Sequence, residues 1–329
     1  MAKADRGPKL DRLRGLEIVR VTEMAAIAAA RLRGRGDEAA ADAAAIAAMY
    51  RALSELPIQG VVVVGEGEEN EAPLLYIGET VGSGSASGVE VDVAVDPVEG
   101  STPAAKALPN ALAVIAIAER GSLLKVPVIY MEKIAIGPGY PDGLVDLDAS
   151  PADNLNALAK AKGVPVAEIT ACILDRPRHA KLIEEVRSAG AAIRLIGDGD
   201  IAGVIHTTEP QDTGIDIYMG VGGAPEGVLA AAALCCIGGQ IQGRLMPADA
   251  SQRESALAAG IEDFSRKYTM ADMASGDVRF AATGITDGSL LEGVRFTRDT
   301  ISTHSVVMRA KTRTVRWIHT EYRDPTGLA

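Results

Sequence analysis

Aromatic side chains are nearly missing from this sequence: one tryptophan, three phenylalanines and seven tyrosines serve 329 residues. A core must then be assembled from alanine, valine, leucine and isoleucine, small side chains that let helices and strands approach closely. That requirement favours an α/β arrangement. Cysteine is scarcer still. Cys172, Cys235 and Cys236 are odd in number and two are adjacent, which supplies neither a disulfide framework nor a zinc cage and leaves three small buried hydrophobes. No stretch approaches the ~20 uninterrupted apolar residues that cross a bilayer, so no membrane partner is expected. Residues 1–15 mix acidic and basic side chains around no apolar centre; a secretory signal is not expected there, and the protein is expected to be soluble and cytoplasmic.

Positive charge is also in short supply. Lysine and arginine total 33 against 44 aspartates and glutamates, a formal net charge of -11. A nucleic-acid binder needs a basic face to replace phosphate counterions, so no nucleic-acid partner is expected. An acidic protein still accommodates an anionic substrate where divalent cations and a few arginines reverse the sign locally.

What is present suffices for a large core. With 47% hydrophobic residues, the chain is long enough for two domains. Segments 16–32 and 42–56 are rich in alanine, carry apolar residues at helical spacing and are separated by Gly34-Arg35-Gly36-Asp37, which predicts an N-terminal helix pair. The stretches 60–64, 74–80, 89–95 and 111–118 have strand composition between glycine and serine turns. Ser150-Pro151-Ala152-Asp153 combines a linker with a helix cap, placing a boundary there. Residues 1–150 are expected to hold the helix pair, a sheet and the acids Asp42, Glu66, Asp96 and Glu99; residues 151–329 are expected to form an α/β domain that holds Glu226. Strand 168–174, helix 177–189, strand 192–197 and a helix from about 200 alternate as in a parallel sheet, and 278–283, 304–310 and 313–322 are strands that complete a sheet.

Chemistry concentrates at strand ends. Val91-Asp92-Val93-Ala94-Val95-Asp96-Pro97-Val98-Glu99-Gly100-Ser101-Thr102 is a buried strand closing on two carboxylates with hydroxyls behind them. Pro97 should stop the ladder and aim Asp96, Glu99 and Ser101 into one space. Clustered carboxylates raise each other's pKa unless a cation joins them. A plainer reading has Asp96 capping a short helix and Glu99 solvated. Gly65-Glu66-Gly67-Glu68-Glu69 puts acids at a second strand end, with glycines that let backbone approach an ion, although an acidic hairpin turn would look similar. Glu226, in Gly222-Gly223-Ala224-Pro225-Glu226-Gly227, opens the helix expected over 225–236. Pro225 suits the first helical position, and exposed amides there favour anions; a favourable interaction with the helix dipole would by itself also place Glu226 there.

Glu66, Asp96, Glu99 and Glu226, with Asp42 on the N-terminal helix as a fifth, present the hard oxygen donors preferred by Mg²⁺ and Mn²⁺. Zinc or iron would want histidines, and His179, His206, His304 and His319 show no ligand spacing. The loop 82–88 (GSGSASG) imitates a dinucleotide loop, but a strand follows it instead of the helix that would bind a pyrophosphate. No nucleophile elbow is present, and no cysteine has a base beside it.

Nine strings carry a resemblance: 17–23 (EIVRVTE), 34–37 (GRGD), 65–68 (GEGE), 72–79 (APLLYIGE), 96–100 (DPVEG), 174–179 (LDRPRH), 198–200 (DGD), 222–227 (GGAPEG) and 281–286 (AATGIT). In order and over nearly the whole chain, they resemble the class II fructose-1,6-bisphosphatases. The Asp-Pro-x-Glu-Gly string alone would indicate only the wider lithium-sensitive, metal-dependent sugar phosphatase superfamily, inositol monophosphatases included; GEGE and GGAPEG narrow it. The resemblance implies a layered α-β-α-β-α fold, with an α+β first domain and an α/β second domain, in a homo-oligomer, dimer or tetramer. It implies hydrolysis of the 1-phosphate of fructose 1,6-bisphosphate, with sedoheptulose 1,7-bisphosphate as a second sugar bisphosphate, assisted by two or more Mn²⁺ or Mg²⁺ ions. Metal ligation is implied for Asp42, Glu66, Asp96, Glu99 and Glu226, and catalytic roles for Asp42, Glu66 and Ser101. Substrate contacts are implied for Glu99, Gly100, Ser101, Tyr130, Arg176, Pro177, Arg178, Asp198, Gly199, Asp200 and Gly223. Arg176 and Arg178 would hold the phosphate that does not react, and Asp198 and Asp200 would accept from sugar hydroxyls. Two positions depart from the family pattern: Ser101 stands where threonine is usual, and Glu38 where lysine is common. The other readings are a phosphatase of a different small ester, such as an inositol phosphate, and a catalytically silent regulator that binds sugar phosphates.

Overall fold

The computed structural model describes residues 15–84 and 88–323. The expectations for the extreme N-terminus and for the centre of the 82–88 loop lie outside the described residues. Helices α1 (Gly15–Ala30) and α2 (Glu38–Ser54) form the expected pair, and Asp37 caps α2 by accepting the Ala40 N–H at 3.0 Å. Strands β1 (Ile58–Val64), β2 (Thr80–Val81) and β3 (Val89–Glu99), the short helix α3 (Ser101–Lys106), and strands β4 (Leu112–Glu119) and β5 (Tyr130–Ile136) follow. Next come α4 (Pro151–Lys162), β6 (Thr170–Leu174), α5 (Ala180–Ser188), β7 (Ala192–Ile196), α6 (Asp200–His206), α7 (Pro210–Thr213), β8 (Ile217–Gly223), α8 (Ala224–Ile237) and β9 (Gln240–Met246). The chain closes with α9 (Ala250–Ala258), β10 (Tyr268–Thr269), α10 (Met270–Met273), β11 (Arg279–Gly284), β12 (Arg295–Phe296), β13 (Thr300–Arg309) and β14 (Thr314–Arg323).

Two sheets result. The first runs β2-β1-β3-β4-β11-β13, with β12 and β14 also paired to β13; the second runs β10-β9-β5-β8-β6-β7. Sheet membership crosses residue 150 in both directions, because β5 joins the second sheet and β11 to β14 return to the first. The strand-helix alternation does make β6 parallel to β7 and β8. The second sheet is nevertheless mixed, since β5, arriving from the first half of the chain, wedges antiparallel between β8 and β9.

Alternation along each strand explains the layering. In β4, Ala113, Ile115 and Ile117 pack with α1 and α2, whereas Leu112, Val114, Ala116 and Ala118 pack with α8 and α6 on the opposite face. In the second sheet Met131, Ala135, Cys172 and Tyr218 face that same middle layer, while Ile134, Ile136, Ile173 and Ile217 meet Leu155 and Leu158 of α4 and Val186 of α5. The order is therefore helices, sheet, helices, sheet, helices. Sandwiched between sheets, α8 has no polar side to offer, and every residue in it but Glu226, Cys235 and Ile237 is buried. Its alanines keep both sheets within reach. Among the described residues, no helix is long and apolar enough to cross a membrane.

Three sequence expectations are corrected. The 74–80 stretch is a turn with only Thr80–Val81 in strand: Leu75 takes a φ of 57°, the Glu79 carboxylate accepts its N–H, and Ile77 donates to the Gly67 carbonyl at 2.9 Å. This folds the segment back onto the glutamate loop. Pro97 does not stop its strand, because a bulge between Asp96 and Glu99 absorbs its missing N–H. The helix expected from 177 begins as a 3₁₀ turn over Pro177–His179, and α5 proper starts at Ala180.

Candidate active site

The bulge in β3 is the first determinant of the site. One extra residue between Asp96 and Glu99 breaks the strict alternation of sides, and both side chains are brought to one cavity of about 300 Å³. Gly100, with φ of 91°, then turns the chain into α3 in a conformation costly to residues with a Cβ. That turn sets Ser101 and Thr102 on the cavity wall. The remaining acids arrive from three further elements: Asp42 from α2, Glu66 from the loop after β1, and Glu226 from the first turn of α8. Carboxylate oxygens of Asp96, Glu99 and Glu226 all lie within 4.8 Å of one another. A second cavity of about 450 Å³, lined by Tyr130, Ile129, Gly223, Pro225 and Gln252, shares Glu66, Asp96 and Glu226 with the first. The acids thus form a common wall between two chambers.

The glycines of the GGAPEG string have separate steric jobs. A Cβ on Gly223 would stand 1.9 Å from Glu226 Oε2, one on Gly222 2.2 Å from Asp200 Oδ2, and one on Gly227 2.5 Å from Met131 Sδ. At 65–68 a Cβ on Gly65 would stand 2.0 Å from the Leu75 carbonyl oxygen, where the folded-back 72–79 turn lies against the loop.

Electrostatically the acidic wall is under-compensated, with the Lys133 charge opposing the rise only at Glu226. Glu66 is pushed up to about 7 by burial and then by Asp42 and Glu226. Burial also holds Asp96, Glu99 and Glu226 above the ordinary carboxylate range, with neighbouring acids adding to the effect. Asp42 is raised by burial, a push that the adjacent Ser101 hydroxyl opposes and Glu38 reinforces. Among the described residues, Asp42 Oδ1 and Glu226 Oε2 are buried without a hydrogen-bond partner. Such atoms are expensive to bury, and an oxygen-only donor set with orphaned lone pairs fits a hard divalent cation.

The sugar-phosphate candidates divide into open and engaged groups. Tyr130 lines the larger chamber and is 45% exposed. Arg178 stacks over its ring at 4.9 Å and donates to the Val221 carbonyl at 3.0 and 2.9 Å. Arg176 pairs with Asp198 at 2.5 Å, and Asp198 lines the acidic chamber. Pro177 shapes the turn between the two arginines, and Gly199 caps α6 with φ of 88°. Asp200 differs from the sequence expectation in its setting: only 5% exposed, it is ion-paired to Lys133 and accepts from the Tyr218 hydroxyl at 3.4 Å.

Sequence reasoning missed two residues. Lys133, 1% exposed, lies behind the acids, and His179 donates from Nδ1 to the Leu174 carbonyl and accepts the Val221 N–H at 2.8 Å, which fixes the arginine turn against β8. A signal for Lys133 was there to find: alternation along Met131-Glu132-Lys133-Ile134-Ala135 puts position 133 on the same face as Met131 and Ala135.

Comparison with known proteins adds a second line of evidence. A family model described as bacterial fructose-1,6-bisphosphatase, glpX-encoded, matches residues 12–322. Three curated relatives carry the name D-fructose 1,6-bisphosphatase class 2/sedoheptulose 1,7-bisphosphatase. The protein of Synechococcus sp. (strain JA-2-3B'a(2-13)) is 42% identical, with 97% of this chain and 99% of that protein covered. That of Synechococcus sp. (strain JA-3-3Ab) is 43% identical, covering 94% and 96%. That of Synechococcus elongatus (strain ATCC 33912 / PCC 7942 / FACHB-805) is also 43% identical, covering 93% and 95%.

Proposed function

We propose a mechanism from one premise: this chain belongs to the family of glpX-encoded bacterial fructose-1,6-bisphosphatases. It is a phosphatase of the fructose-bisphosphatase type, removing the 1-phosphate of fructose 1,6-bisphosphate to leave fructose 6-phosphate and inorganic phosphate. Sedoheptulose 1,7-bisphosphate is the second substrate, in keeping with the double name of the relatives. The observation that carries the reading is the meeting of Asp96, Glu99 and Glu226 oxygens within 4.8 Å in a cavity that Asp42 and Glu66 also line.

Asp42, Glu66, Asp96, Glu99 and Glu226 would hold the divalent ions, two or more of Mg²⁺ or Mn²⁺. When bound, such ions neutralise charge on the phosphoryl oxygens and make water more acidic. The protein's own groups do the positioning. Ser101, with its hydroxyl beside Asp42, aims the attacking water, and Asp42 or Glu66 takes its proton. Water oxygen bonds to phosphorus as the bond to the sugar's C1 oxygen breaks; that oxygen leaves as an alkoxide, which takes up a proton from solvent to become a hydroxyl of fructose 6-phosphate, and no phosphoenzyme forms. The distal phosphate is a stronger, bidentate acceptor than the Val221 carbonyl that now holds Arg178. Arg178 and Arg176 would turn to it at the Pro177 turn, while Tyr130, Gly100 and Gly223 border the sugar. Asp198 and the Gly199 turn meet the sugar hydroxyls, and Asp200 supports that turn from behind. We place the enzyme in the cytoplasm as a homo-oligomer, dimer or tetramer, which light scattering on the purified protein tests.

Phosphate release from fructose 1,6-bisphosphate, sedoheptulose 1,7-bisphosphate, fructose 6-phosphate and an inositol monophosphate, with Mg²⁺ and with Mn²⁺, tests the reading. Bisphosphates should turn over and monophosphates should not. Faster release from the inositol ester, or none from any ester, would overturn it.

A further inference from the structure

A lysine buried behind the acidic wall is a strong cation that the proposed mechanism leaves without work. Lys133 comes from β5, is 1% exposed, and has its ammonium ion-paired to Asp200 and donating to the Gly223 carbonyl at 2.7 Å. Each partner leads on to a metal-ligand candidate. Gly223 is the N-cap of α8, whose first turn carries Glu226, and the Lys133 charge acts on Glu226 directly. Asp200 opens α6, and the next N–H, that of Ile201, donates to Glu99 Oε1 at 3.4 Å. The path of the side chain is kept clear by absence: a Cβ on Gly222 would stand 2.9 Å from Lys133 Nζ, and one on Gly227 3.2 Å from Lys133 Cδ.

We propose that Lys133 is a positioning residue that fixes the starts of α6 and α8 against each other, so that Glu99 and Glu226 are presented together to the incoming cation. The inference rests on the reading of those two glutamates as metal ligands. A buried lysine is costly to desolvate, and the ion pair with Asp200 offsets that cost only while both partners stay in place. What the pair provides is rigidity between the two helix starts. The alternative role, simple charge balance, predicts the opposite sign. Removing a positive charge next to carboxylates strengthens their attraction for a cation, whereas removing a strut that sets their spacing weakens binding.

The decisive measurement is Mn²⁺ affinity of the metal-free full-length protein, by calorimetry, for Lys133→Met, Asp200→Asn and the double variant Lys133→Met/Asp200→Asn. The double variant buries no unpaired charge, so it keeps the test available where Lys133→Met alone unfolds. The expected result is Mn²⁺ binding weakened about tenfold in the double variant, within the range typical of groups that orient metal ligands. In Lys133→Met, which leaves every proposed substrate contact in place, the Mn²⁺ concentration for half-maximal phosphatase activity should rise by the same factor, while KM for fructose 1,6-bisphosphate at saturating Mn²⁺ stays within about twofold, a split that general loosening of the fold would not give. Tighter Mn²⁺ binding in Lys133→Met, unchanged binding in the double variant, or a KM effect without a metal effect would each overturn the proposal. Failure of the parent protein to bind Mn²⁺ would instead remove the metal-ligand reading beneath it.

Discussion

Glu38 stands one helical turn before Asp42 on α2, and its charge raises the pKa of Asp42 and of Asp198 across the cavity. The charge at position 38 thus reaches the acidic chamber electrostatically. Its own side chain is exposed, so the interaction is screened by water and salt. Glu38→Lys should lower KM for fructose 1,6-bisphosphate, by about two- to fivefold at low ionic strength, the scale of an exposed charge interaction. The gain should fade in ~0.5 M salt as the Debye length shrinks. A KM that stays put or rises at low salt would remove Glu38 from any role in substrate attraction.

Asp96 is pressed upward by burial, then by Glu226 and Glu66. Two opposite effects of Asp96→Asn follow. Without metal, the substitution removes a buried charge and the melting temperature at neutral pH should rise. With saturating Mn²⁺, turnover should fall at least about 100-fold, because a lost ligand removes more than an orienting neighbour does. Melting curves with and without Mn²⁺, read beside steady-state rates, check both; normal turnover in saturating Mn²⁺ contradicts the ligand assignment.

The pH dependence has a definite sign. Glu66 titrates near 4.5 when unperturbed and at about 7 in the folded protein. A raised folded pKa means that its stabilising contribution is full below about 4.5 and is lost as pH rises through about 7. Metal-free protein should accordingly melt lower at pH 8 than at pH 5.5, and Glu66→Gln should flatten that slope. Cations compete with protons at such groups, so Mn²⁺ affinity should climb between pH 6 and 8 with net proton release. Calorimetry in buffers of differing ionisation enthalpy measures the release, and a proton count of zero at pH 6.5 would sink the assignment.

How much of this was legible in the sequence depended on whether a residue's neighbours are local. Asp96, Glu99 and Ser101 announce themselves because strand, proline and glycine sit within seven residues of each other, and α8 is readable from Pro225 and its unbroken apolar run. The bulge that keeps Pro97 in strand depends on β4 across the ladder, and the collapse of the 72–79 turn depends on Gly65 making room for Leu75. Neither partner is visible from the segment itself. The burial of Asp200 was not legible, because the residue it is ion-paired with, Lys133, is 67 residues away. The tertiary pairing decided which of two equivalent aspartates would be buried.

Gly223 offers the sharpest separation of fold from site. Its hypothetical Cβ falls 1.9 Å from Glu226 Oε2 and 2.6 Å from Glu226 Cδ, and the other close atom is again Glu226 Oε1 at 2.8 Å. Its φ of -68° and ψ of 149° are extended values open to any residue. Alanine there strains no backbone and meets only the far end of one flexible side chain, so Gly223→Ala should fold with a melting temperature near that of the parent. Glu226 must swing aside to admit the methyl group, leaving Asp96 and Glu99 without their third oxygen. Mn²⁺ affinity should then fall by about tenfold or more, as for a displaced ligand. Gly222→Ala is the contrasting case, since its Cβ meets the Asp200 and Lys133 pair that is itself buried, and it should cost stability as well as metal. If Gly223→Ala binds Mn²⁺ as the parent does, Glu226 is not among the ligands.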